Sequence, residues 1–202
     1  MISRDSPLLN AAHLCSDDAR TESGVGAADA LEYLKQDEWE MALILLEELG
    51  DAHPPPPEFW GLLADAARLM WLKSDVAWYD WRRSEARTGA FLAELHLLPA
   101  GDGSRTTPIP PGGLLRPMWD LGHCTSEGEP LLSIAGLWIE GRDPLKPGGG
   151  ASVRLLPLTP EHWRHLKPSD VITMHEMRPP TGTARIVEAM PPVGYMRDDL
   201  TR

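Results

Sequence analysis

His162 and His165 stand three residues apart, a spacing at which one helical turn could offer two imidazole nitrogens to a metal ion. His175 and Glu176 would be the further ligands, yet nothing in the spacing makes the four converge, so solvated histidines are the plainer reading. His123 beside Cys124 has the composition of a base and a nucleophile. Neighbours on a strand point to opposite faces, so these two make a poor catalytic pair. Gly148, Gly149 and Gly150 form a glycine run, but they follow a proline, lead into a strand and lack the lysine that a phosphate-cradling loop requires. We therefore expect no catalytic residue, no metal and no cofactor.

Residues suited to binding are more prominent. Asp37, Glu40, Glu47, Glu48 and Asp51 gather on one helix and just beyond it, as a solubilising face or a docking face for a basic partner. Of the eight tryptophans, Trp71, Trp78 and Trp81 are assigned to a helical core, and Trp119 and Trp163 are taken as exposed anchors of a binding surface. The run Pro54 to Pro57 reads as a rigid loop rather than a polyproline ligand.

The elements that position these residues fall in two parts. Residues 1–90 carry 17 acids against 8 bases, whereas residues 91–202 carry 13 against 11, within a net charge of −11. Such a charge argues against generic binding to a phosphate backbone, which lysine and arginine drive by displacing counterions. Residues 1–26 are polar and aperiodic, without a signal-peptide core, and read as a flexible tail. Residues 27–89 form an acidic helical domain of about four helices in two hairpins. Met41, Leu45 and Leu49 line its second helix, which Gly50 should close. Gly89 should end the fourth helix. Leu34 and Leu69, Met41 and Val76, and Ala42 and Ala77 each lie 35 residues apart, near the 34-residue tetratricopeptide period.

From residue 90 the texture changes to short apolar runs broken by proline and glycine, 20 and 18 in the whole chain. Six strands are expected, at 91–98, 115–121, 131–139, 152–158, 171–176 and 183–189. Val153 and Leu155 oppose Arg154, and Ala184 and Ile186 oppose Arg185, so one face of the sheet should be wet. Thr159, Pro160 and Glu161 should open a helical turn over Trp163. The fold class is thus α+β, with helical hairpins followed by a six-stranded antiparallel β-barrel over 90–190 and a tail at 191–202. With two cysteines and no disulfide framework, a cytoplasmic location is the simplest.

Phe91, Ala93, Glu94 and Leu95, then Gly103, Arg105, Thr107 and Pro108, then Gly113, Arg116 and Pro117 before an aromatic strand, resemble the third, C-terminal β-barrel of elongation factor Tu. Lys146, Pro147, Gly148, Val153, Leu155, Pro160, Leu166, Val171, Glu176 and Gly182 continue the likeness in the same order. The GTPase domain of that family has no counterpart here, so no nucleotide is expected. In the family this barrel helps to hold the T stem of aminoacyl-tRNA and touches protein partners. Only Glu176 stands plainly among the tRNA-contacting positions; Met118, Met177 and Pro179 replace the family's glutamine, glycine and arginine, with Arg178 adjacent, and Thr159 falls where lysine or threonine occurs.

The resemblance and the charge together imply a non-catalytic interaction protein, an adaptor or a regulator of immunity type, binding a protein partner, with translation as the process that the resemblance suggests. Arg105, Arg116, Trp119, Trp163, Glu176 and Arg178 are its candidate partner-binding residues, with the acidic face as a second surface. The first alternative is a tRNA-binding accessory factor, which net charge disfavours and which would need Arg105, Arg116, Arg178 and Arg185 in one stripe. The second is a metal-dependent enzyme using the histidines. No membrane association is expected.

Overall fold

A computed structural model describes residues 6–101, 105–176 and 179–194. The chain divides into a helical unit, residues 1–87 with 193–202, and a barrel unit, residues 88–192. Among the described residues no helix is long and apolar enough to cross a membrane.

The helical unit has five helices: α1 (Pro7–Leu14), α2 (Ala27–Lys35), α3 (Trp39–Ala52), α4 (Pro57–Leu69) and α5 (Lys73–Thr88). The expected count of about four omitted α1, because residues 1–26 read as a tail. Leu8, Ala11 and Ala12 in fact make a short i, i+3, i+4 stripe that is fully buried against the other helices. Gly50 does not end α3. It sits inside the helix where a Cβ would come within 2.9 Å of Phe59 and Trp60, so the glycine permits close helix packing. The last proline of the run, Pro57, opens α4 at a position where no amide hydrogen is needed. Gly89 follows α5 with φ +78, as expected of a left-handed stop.

The pairs at 35 residues do not share environments: Leu34 is buried and Leu69 exposed, as are Ala42 and Ala77. The backbone instead repeats at 34 residues. The α2–α3 turn bonds Gln36 N to Glu32 O, Asp37 N to Leu34 O and Glu38 N to Tyr33 O; the α4–α5 turn bonds Met70 N to Ala66 O, Trp71 N to Arg68 O and Leu72 N to Ala67 O. Asp37 and Trp71 both take the left-handed conformation, φ 60 and 61. The two hairpins therefore share one turn.

The barrel unit contains β1 (Ala90–Leu97), β2 (Met118–Cys124), β3 (Pro130–Ile139), β4 (Gly150–Pro157), β5 (Val171–His175) and β6 (Pro180–Met190). Every pairing is antiparallel, and the order β1-β4-β3-β2-β5-β6 closes on itself, so no strand presents an open edge. Val153, Leu155, Ala184 and Ile186 point inward as the alternation requires. Leu115 joins Leu137 through an isolated bridge rather than starting β2. A 3-10 turn, Pro160–Trp163, places Trp163 in the core beside Phe91 and Trp119, at ring distances of 5.5 and 6.3 Å. Thr159 precedes that turn without a side-chain cap.

Candidate interaction surfaces

The acidic face is partly consumed inside the helical unit. Glu47 Oε1 accepts from Trp78 Nε1 and Oε2 accepts from the Tyr79 hydroxyl, both at 2.7 Å. Burial, reinforced by the Glu47 charge, pushes the Tyr79 hydroxyl far above its ordinary range. Asp51 pairs with Arg82, whose guanidinium lies 4.2 Å from the Trp60 ring and 5.1 Å from that of Trp78. Glu85 completes this group, 3.0 Å from Arg82 Nε and bonded to Trp81 Nε1. These residues tie α3 to α5 and are structural. Among the described residues, Asp37, Glu40 and Glu48 are the three of the five expected acids that are exposed and have no ion-pair partner.

The tryptophan assignment holds for Trp81, which is buried, and for Trp78, half-buried against the helical core, and fails for the other three. Trp119 and Trp163, expected as surface anchors, are fully buried in the barrel. Trp71, expected in the core, is 84% exposed, and Leu69 beside it is 71% exposed. Trp71 lies in the left-handed turn that carries the chain from α4 to α5 in three residues, and Leu69 is the last residue of α4 before it. Two hollows adjoin this corner. One of about 230 Å³ lies between Arg68, Trp71, Lys73 and Val76. The other, about 340 Å³, lies among Ser6, Pro7, Leu8, Trp39, Leu69 and Met70.

On the barrel, Arg105 and Glu176 come together as an ion pair at 2.6 Å, and Arg105 Nε also donates to the Thr107 carbonyl at 2.6 Å. Arg105 is therefore neutralised rather than offered to a phosphate. Arg116 is exposed before β2 and Arg185 on β6, two strands that β5 separates. Arg178 and Met177 lie outside the described residues. A smaller apolar patch on the exterior comprises Ile134, paired with Met118, and Leu158, whose amide donates to the Ile134 carbonyl; they are 40% and 51% exposed.

Three of the histidines make hydrogen bonds around the β2 end of the barrel. His123 Nε2 donates to the His162 carbonyl and His165 Nε2 to the Leu121 carbonyl, each at 3.1 Å, while His162 Nδ1 lies 3.2 Å from the Ser133 hydroxyl. Among the described residues no three histidine, cysteine, aspartate or glutamate side chains are placed to hold a metal ion. Cys15 and Cys124 are both free thiols. The apolar corner at Leu69 and Trp71 was missed by the sequence reading, and the nearest signal for it was a tryptophan just before a helix start. No protein-family model matches this chain, and no curated protein matches it.

Proposed function

We propose that this is a non-catalytic interaction protein of the cytoplasm that docks a protein partner through the α4–α5 corner of its helical unit. One observation carries the reading. A left-handed backbone suits aspartate, as at Asp37 in the matching turn, but costs a bulky residue roughly 1–2 kcal/mol. Tryptophan occupies that conformation at Trp71 and is then 84% exposed, so neither local propensity nor core packing accounts for it. Exposed tryptophan next to exposed leucine is the composition of a binding hot spot. The matching turns at the tetratricopeptide period add to the reading, since stacked hairpins of that kind serve as binding scaffolds.

The closed six-stranded barrel is read as a relative of the third barrel of elongation factor Tu, on the ordered likeness of residues 91–182 together with its strand number and closure. A role in translation follows from that likeness alone. The tRNA alternative is weakened by the neutralisation of Arg105.

The test is capture from native lysate by the full chain, with and without ribonuclease, comparing wild type with Trp71→Ala and Leu69→Ser. A defined protein that survives ribonuclease and is lost with either substitution is the expected result. Identical captures by all three proteins, or ribonuclease-sensitive tRNA, would overturn it.

A further inference from the structure

Building on that docking reading, we propose that the partner element is a basic amphipathic segment whose apolar side chains enter the groove among α1, α3 and α4, which Leu69 helps to line. The groove, at about 340 Å³, lies at the small end of ligand pockets, so it admits one or two side chains rather than a large compound. Its walls are apolar except for Ser6, which is 5% exposed and whose Oγ is buried with no hydrogen-bond partner among the described residues.

Charge chooses the class of segment. Trp39, which lines the groove, lies between Glu38 and Glu40 and two residues after Asp37. All three carboxylates are exposed, and among the described residues none has an ion-pair partner. Of the two bases in the neighbouring hollow, Arg68 is held by Asp65 at 2.7 Å and Asp80 at 2.6 Å, which leaves Lys73 against three acids. A rim of this sign attracts lysine and arginine and rejects acidic segments and nucleic acid. The occupant is therefore a protein segment with bulky apolar residues on one helical face and basic residues on the other.

The experiment uses fluorescence anisotropy of the full chain with three labelled synthetic peptides of one helical pattern. The first carries leucine on one face and lysine on the other, the second replaces lysine by glutamate, and the third replaces leucine by serine. The Leu/Lys peptide should bind about tenfold tighter than either control. Leu69→Ser and the double variant Glu38→Lys/Glu40→Lys should each remove about tenfold, and circular dichroism verifies that both variants fold.

Equal binding of the Leu/Lys and Ser/Lys peptides would reduce the effect to bulk charge and overturn the proposal. So would binding of the Leu/Glu peptide, or full binding by Leu69→Ser. Self-association in sedimentation that Leu69→Ser abolishes would make a second copy of this chain the occupant and equally overturn it. Failure here is separable from failure of the docking reading. If lysate capture depends on Trp71 yet no peptide binds, the segment's chemistry is wrong and the corner still docks a partner. If capture is indifferent to Trp71, the docking reading itself falls.

Discussion

The barrel and the helical unit treat their aromatic residues in opposite ways. In the barrel, Trp119 and Trp163 are wholly buried, and among the described residues their indole nitrogens have no hydrogen-bond partner. In the helical unit, Trp78, Tyr79 and Trp81 each place their polar atom 2.7 Å from a carboxylate, and Arg82 lies over Trp60 and Trp78. The difference follows from how each unit is held together. Strands of a closed barrel are joined by main-chain bonds, so side chains inside it need only fill space. Helices bond only within themselves, so side-chain ties such as Glu47 and Asp51 must set how α3 lies against α5. Trp71 belongs to neither scheme, which is why it is the residue assigned to binding.

The largest break in this comparison is Trp163→Ala. It should cost the barrel about 3–5 kcal/mol, read as a lower urea midpoint and loss of the near-ultraviolet aromatic signal. Trp71→Ala should change stability by less than about 0.5 kcal/mol. Next in size is Glu47→Ala, which leaves the Trp78 and Tyr79 donors without their acceptor and should destabilise the helical unit by about 1–3 kcal/mol in the same assay. Glu47→Gln should recover part of this, because a carbonyl oxygen still accepts one of the two bonds.

Alkaline titration sharpens the contrast without mutation. The folded state holds the Tyr79 proton more tightly than the unfolded chain does, through burial first and the Glu47 charge second. That contribution is fully present below the ordinary tyrosine value of about 10 and declines progressively as pH rises above it. Far-ultraviolet helical signal should therefore weaken above about pH 10 while the barrel's aromatic signal persists. Tyr79→Phe should abolish this pH dependence. A small effect of opposite sign is expected of Trp71→Gly, which should raise helical stability by up to about 1 kcal/mol, since glycine accepts a positive φ freely, yet should abolish partner capture.

Much of the barrel could be read from residues. Strict alternation at Val153, Arg154 and Leu155 and at Ala184, Arg185 and Ile186 fixes which face is wet. The closing sequence Arg87, Thr88, Gly89 marks a left-handed stop. The helical unit was harder because its signals are non-local. Gly50 looks like a helix end until Phe59 and Trp60, on the next helix, occupy the space a Cβ would need. Leu8, Ala11 and Ala12 carry too little apolar surface to stand out from a polar stretch, yet they complete the core.

The 34-residue repeat was hidden for a related reason. Asp37 and Trp71 share a backbone conformation and no side-chain chemistry, so residue matching settled one position away, at 35. The candidate site was the least legible part. A tryptophan flanked by Met70 and Leu72 in the sequence resembles core, and only the turn's positive φ turns it outward. The acids misled in the opposite direction, since Glu47 and Asp51 look free until α5 supplies their partners.

The most direct test places a photo-crosslinking amino acid at one of two equally exposed positions, 71 in the helical unit or 114 in the barrel unit; Trp71 and Leu114 are each 84% exposed. After irradiation in native lysate, the account predicts one discrete protein adduct from position 71 and none from position 114. Adducts formed only from position 114 would contradict it and move the binding surface to the barrel, and RNA attached at position 71 would contradict it by making the partner a nucleic acid.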